Sequence, residues 1–177
     1  MMGVLFHGSP KKLALLKPAR SLLIENAEVV FATPSRWLAL VFCAHTTSRE
    51  LDFGFVNGVP YIAELHEGAF SLLKTHGYIH TVAAHAFHSD SRVGMRDHEF
   101  VSAHSVPVLE REYIEDIYTD LRRFDNLKML TYAEHLAALA AERAADARCE
   151  AAGIAAAAAR DAAVAAAKAS AASQPPP

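Results

Sequence analysis

Every aromatic residue of this chain lies at or before Tyr132, and beyond that point the sequence is mostly alanine. All nine Phe, five Tyr and the single Trp fall in that first part, whereas 23 of the 35 Ala fall between Ala133 and Ala172. Large side chains carry core burial, an aromatic covering roughly 150–250 Å², and an alanine methyl contributes little of it. The hydrophobic fraction of 52% is therefore divided unevenly. Residues 1–131 can bury a core, and residues 132–177 form an extension that cannot bury much. A length of 177 residues suits one domain with such an appendage.

Thr131-Tyr132-Ala133-Glu134 fits a capping box. Alanine is the strongest helix former, so a long helix is expected from there, weakened by about 1 kcal/mol at Gly153. Three terminal prolines cannot continue a helix, so residues 170–177 are expected to fray. Leu136, Leu139, Ile154 and Val164 are the only large apolar residues after Ala133, too few for a heptad seam. The extension could still act as an interaction helix through close alanine contacts.

No run of 18 strongly apolar residues marks a spanning helix, and His7 and Pro10 interrupt any signal-peptide hydrophobic region. Two cysteines, Cys43 and Cys149, do not make a disulfide framework and fit a reducing compartment. The formal net charge is −3, so nucleic acid is not indicated by charge, though a local patch is compatible with a balanced total. The expectation is a soluble, cytoplasmic protein with no membrane partner.

The body reads as α+β. Val4-Leu5-Phe6 suggests a first strand ending at His7, before the turn signal Gly8-Ser9-Pro10. Lys11–Lys17 suggests at most a turn of helix before Pro18. Residues 28–32 form a second β-branched run, after which Thr33 as cap and Pro34 at the first position predict a helix through Phe42, ending near His45. Further strands are expected at 53–56, 61–65 and 78–87, the first two joined by an Asn57-Gly58 hairpin. Short strands at 99–101 and 106–108 and a helix over 113–121 follow. Without regular βαβ alternation, this is an α+β arrangement.

Three segments carry candidate chemistry. Phe6-His7-Gly8-Ser9 is a strand end that exposes an imidazole and backbone amides, although a surface His beside an ordinary turn is the simpler reading of four residues. Val29–Ser35 and the helix after it form a strand, hydroxyl-rich cap and aromatic-bearing helix, and helix N-termini favour anions and amide oxygens. Asp97-His98-Glu99-Phe100-Val101-Ser102 places carboxylates at the entry to an extended segment, where one could oppose developing positive charge. Six histidines (His76, His80, His85, His88, His98 and His104) lie within 29 residues. In a strand, His76 and His80 would sit about 13 Å apart, too far for one ion, so no metal is expected. Cys43, on an apolar helix face, reads as a small core residue.

Taken in order, LFHGSP, VVFATPSRWLALVFCA and DHEFVSAHSVPVLE resemble the ADP-ribosyltransferase superfamily. That family carries a His-Gly-Ser/Thr strand, a strand–helix with Ser and an aromatic, and a later Glu leading a strand. The likeness spans about 105 of the 177 residues, and its first motif is the sharp one. It implies a split, mostly antiparallel pair of sheets around an NAD cleft, with NAD as substrate. His7 would bind the adenine-side ribose, Gly8 backbone groups the nicotinamide carboxamide, and Ser9 would assist at either. Ser35 would supply a hydroxyl, and Phe42, or Phe31 or Trp37 near it, would stack on nicotinamide. Glu99 would hold the nicotinamide ribose and steady the oxocarbenium-like state, with Glu64 and Glu67 as alternatives. The family's second motif usually carries Tyr where this chain has other aromatics. Members that lost the Glu or the stacking aromatic often bind without transferring, so a non-catalytic module for NAD, ADP-ribose or another nucleotide is the alternative. The related RNA 2′-phosphotransferases resemble basic proteins with several site arginines. This chain has only Arg20, Arg36, Arg92 and Arg96 near the motifs.

Overall fold

Asn57 and Gly58 take φ values of 53° and 76°, the left-handed pair that a two-residue hairpin needs and that Asn-Gly adopts at least cost. The computed structural model describes residues 3–21, 24, 25, 27–44, 50–93, 95 and 97–172. In chain order the elements are β1 (Val4–Ser9), β2 (Leu15–Leu16), β3 (Ala19–Arg20), β4 (Glu28–Ala32), α1 (Arg36–Cys43), β5 (Leu51–Val56) and β6 (Val59–Glu64). After a 3-10 turn at Ala69–Leu73 come β7 (Gly77–Ala83), a second 3-10 turn at Ala84–Ala86, β8 (His88–Ser89), β9 (Phe100–Ser102) and β10 (Val106–Pro107). Then follow β11 (Glu110–Ile114), α2 (Ile117–Leu121), β12 (Lys128–Leu130) and α3 (Tyr132–Ala172). The fold is α+β, and its sheets are mostly antiparallel. Contacts divide the chain into two units, Met1–Ala133 and Glu134–Pro177.

Four sheets are present among the described residues, in the orders β1-β7-β11, β10-β2, β12-β6-β5 and β3-β4-β9-β8. Only β12 on β6 is parallel among the strand pairs. One antiparallel bridge, Phe6 to Thr33, ties β1 to the end of β4. Its two bonds are 2.8 and 2.9 Å long.

Helix α1 lies on β1 through glycine. A Cβ on Gly8 would stand 1.8 Å from the Ala39 carbonyl oxygen, and one on Gly77 would stand 2.6 Å from the Cys43 Cβ. Trp37, Leu38, Leu40, Val41 and Cys43 bury into the main core with Ile62, Leu73, Ile79 and Ile117. The Cys43 thiol donates to the Tyr78 carbonyl at 3.2 Å, and burial pushes its pKa up to about 11. It is a core group and no nucleophile.

Several expectations need correction. Residues 15–16 form a strand on β10, not a helical turn, because Leu16 is buried there beside Val106. The helix predicted over 113–121 divides into β11 and α2, since Glu110–Ile114 completes the β7 edge and Asp116 then caps Thr119. The cap of α1 is Ser35 rather than Thr33, because Thr33 is held in the bridge to Phe6. The segment 78–87 leaves the strand after Ala83 for the second 3-10 turn. Helix α1 ends at Cys43 with Ala44 as its C-cap, just short of the end expected near His45. Of the stretch expected to fray, residues 170–172 stay in α3, and 173–177 lie outside the described residues.

In the second unit, α3 continues through Gly153, where a Cβ would meet nothing within 4 Å. Gly153→Ala is therefore expected to strengthen the helix by up to about 1 kcal/mol. Circular dichroism at 222 nm should show raised helicity; unchanged or lower helicity would contradict this. No helix of the described residues is long and apolar enough to cross a membrane.

Candidate functional site

The bridge at Phe6 and Thr33 determines what lies beside it. Phe6 directs both its N–H and its C=O toward Thr33. Backbone direction repeats every two residues in a strand, so Gly8 turns its N–H and C=O toward the same side. Among the described residues no strand pairs with β1 there: β4 pairs with β9 at Val30, Phe31 and Ala32 and meets β1 in the single bridge. The sheets β1-β7-β11 and β3-β4-β9-β8 are thus joined by one bridge, at Phe6–Thr33.

His7 sits next to this bridge. Its Nδ1 lies 2.7 Å from the Phe31 carbonyl, an oxygen that a continuous sheet would have paired with backbone. The imidazole therefore donates through Nδ1–H, which leaves Nε2 as an acceptor with no partner among the described residues. Across β1, His7 pairs with His80 on β7, and the rings lie 5.9 Å apart. His80 is fully buried. Its Nε2 accepts from Leu13 N–H at 3.0 Å, and its Nδ1 donates to the His7 carbonyl at 3.3 Å. That geometry fixes His80 as a neutral core histidine.

Burial lowers the pKa of His7 against the opposing Phe31 bond. Burial also lowers that of His80. Both rings therefore bind protons less readily in the fold than in an unfolded chain, whose ordinary midpoint is 6.5. The unfolded state thus holds more protons between each depressed value and 6.5, and stability falls as pH drops through that window. In an NMR titration, the ring Cε1–H resonances of both should stay at their neutral positions until well below pH 6.5. Ordinary midpoints would contradict the burial argument.

The second wall carries Glu99. Ala32 pairs with Phe100; one step further along the register, Thr33 lies opposite Glu99. By this register Thr33 and Glu99 share the face of Phe6, and His7, next to Phe6 in β1, projects to the opposite face. Glu99 is 4% exposed. One carboxylate oxygen accepts from Met95 N–H at 3.2 Å, and burial raises its pKa against that bond. Glu64 is as deeply buried, but both its oxygens are used: Oε1 accepts from Phe70 N–H at 2.8 Å and Oε2 from Tyr132 N–H at 3.1 Å. It ties two helix starts together. Glu67 is exposed in a turn. Of the three candidates, Glu99 is the buried carboxylate for which the described residues give a single bond, from Met95 N–H.

The remaining sequence-derived residues separate. Ser9, paired with Tyr78, accepts from Lys11 N–H at 3.1 Å and closes the turn after β1. Ser35 stands at the start of α1, its N–H bonded to Thr33 Oγ1 at 3.0 Å and its Oγ 3.3 Å from His98 Nδ1. Phe42 lies seven residues on, about 10 Å along the axis. It is 40% exposed and meets Phe53 edge-on at 5.6 Å. Trp37 is buried against Phe55, and Phe31 packs against the cluster of Ile24, Val29 and Val93, so Phe42 is the aromatic left open. The structure joins Ser35 to the Glu99 segment and sets His7 and Gly8 across β4 from it. It does not draw Phe42 to the same point.

The pairing of His98 with Phe55 has no signal in the sequence. Their rings stack at 4.0 Å and 20°, beside a cleft of about 580 Å³ that also touches Tyr61, Met95 and Asp97. A second cleft of about 220 Å³ lies among Arg36, Glu112, Asp120 and Arg123, whose charges pair with one another. Neither cleft is lined by His7 or Glu99. No group of three His, Cys, Asp or Glu side chains converges as a metal would require among the described residues. Comparison with protein-family models, curated proteins and solved structures finds no match for this chain.

Proposed function

We propose that the body is an ADP-ribosyltransferase-like domain that takes NAD into the split between β1 and β4 and transfers ADP-ribose to an acceptor. What supports this reading is the single bridge between β1 and the end of β4, with the His7 Nδ1 rather than backbone on the Phe31 carbonyl; strand alternation then turns the Gly8 N–H and C=O toward the same side. A carboxamide needs one donor and one acceptor, and Gly8 offers both at fixed spacing. A ribose hydroxyl can donate to His7 Nε2. Breaking the bond between ribose and nicotinamide puts positive charge on the sugar. A buried carboxylate such as Glu99, with one backbone bond among the described residues, opposes that charge far better than one in water.

The reading in which NAD is held but not transferred rests on the second motif, where this chain carries Phe31, Trp37 or Phe42 in place of the family's usual Tyr. The deciding experiment incubates the protein with NAD labelled in the nicotinamide ring. Free labelled nicotinamide is the expected product. Saturable binding with no release would leave a binding module, and neither binding nor release at millimolar NAD would remove both readings.

A further inference from the structure

Met95, His98 and Glu99, before β9, are bonded to one another. The Met95 carbonyl accepts from both His98 N–H and Glu99 N–H at 2.8 Å, and the Glu99 carboxylate returns to Met95 N–H. His98, at the end of this turn, is held twice. Phe55 supports its ring face, and Ser35 Oγ meets its Nδ1. Ser35 is itself placed by Thr33 Oγ1, and Thr33 is the residue of the bridge.

When Ser35 accepts the Nδ1–H, the imidazole is fixed in the tautomer whose lone pair is on Nε2. That nitrogen has no partner among the described residues, and His98 lines the cleft of about 580 Å³ between the β5–β6 hairpin and the turn. No buried side-chain nitrogen or oxygen of the described residues lacks a partner, so an unpartnered Nε2 is an accessible one. The cleft is large enough for more than water.

We infer that this cleft seats the acceptor, an uncharged O–H or N–H nucleophile, and that His98 takes its proton, with Ser35 as the positioning residue. The inference rests on the transfer reading above and adds to it the group that activates the acceptor. As the bond from ribose C1′ to the nicotinamide nitrogen breaks, its electron pair stays on nicotinamide. The acceptor's oxygen or nitrogen forms the new bond to C1′, and the proton it sheds moves to His98 Nε2 and then to water. Nothing is oxidised or reduced.

The test uses the full chain, NAD, water as the smallest O–H acceptor, and azide as a nucleophile with no proton to lose. His98→Gln should slow nicotinamide release in water by about 10²-fold, the usual contribution of a general base. Saturating azide should restore release and yield ADP-ribosyl azide, visible by mass spectrometry. Ser35→Ala should show a smaller loss, also restored by azide, and it decides the matter if His98→Gln does not fold. Glu99→Gln should not be restored, because azide does not replace a carboxylate that steadies the cation. Hydrolysis at the parent rate in both variants would overturn the role of His98 and leave the transfer reading intact. Loss that azide does not restore would mark His98 as structural and equally overturn it. A parent protein that releases no nicotinamide would remove the transfer reading and this role together.

Discussion

Gly8→Ala is expected to destabilise the body by about 3 kcal/mol or more, the upper range for overpacking a rigid contact. The added Cβ would lie 1.8 Å from the Ala39 oxygen and 2.9 Å from the Cys43 backbone nitrogen. Both are backbone atoms of α1, so no side-chain rotation relieves the clash, and the helix must lift from β1. The melting temperature should fall by on the order of 10 °C. Gly3→Ala is the control, since its Cβ would sit 3.6 Å from the Ala84 Cβ, an ordinary contact, and little change is expected. Equal melting of the two variants would show that α1 is not seated on β1 as described. Gly8 therefore has a packing role on one face and, in the proposed function, a recognition role at its backbone edge.

Glu99→Gln is expected to cut nicotinamide release by about 10²–10³-fold, the scale for losing one preorganised electrostatic group, while sparing NAD binding. It should also raise stability at neutral pH. Burial raises the Glu99 pKa in the fold, so between 4.5 and the raised value the folded state binds the extra proton. Stability then falls as pH rises through that window, and the ionised carboxylate is a liability above it. Glutamine carries no charge and can still accept from Met95 N–H. The melting temperature of Glu99→Gln should exceed that of the parent at pH 7, and the gap should close as pH approaches 4.5. A variant less stable than its parent at pH 7 would show that Glu99 has a stabilising partner after all. A group kept at a cost to stability is what a functional carboxylate looks like.

Local chemistry made part of this architecture legible in the sequence. The Asn57-Gly58 hairpin, the β-branched run at 28–32 and the apolar face of α1 are each specified by residues close in the chain. Elements fixed by distant partners were not legible. Leu15–Leu16 becomes a strand only because Val106–Pro107 lies beside it. Tyr113 and Ile114 have helical spacing with Ile117 and Leu121 but complete the edge of β7 instead. The parallel pairing of β12 with β6 left no local trace.

The site divides in the same way. His7-Gly8 and Glu99 could be picked out by residue type and order. Their arrangement could not, because it depends on β4 meeting β1 in a single bridge. Glu64 and Glu99 are both buried carboxylates, and only their partners distinguish them: two helix-start amides for Glu64, one turn amide for Glu99. The contact of His98 with Ser35 spans 63 positions, beyond the reach of spacing arguments.

In the proposed function the nicotinamide end of NAD lies beside Gly8, whose amide would sense its arrival. In a ¹⁵N–¹H NMR titration with NAD, the account predicts a saturable shift of the Gly8 amide, accompanied by Phe31 and Glu99 across the split. An unmoved Gly8 amide at millimolar NAD, or shifts confined to residues elsewhere, would contradict it.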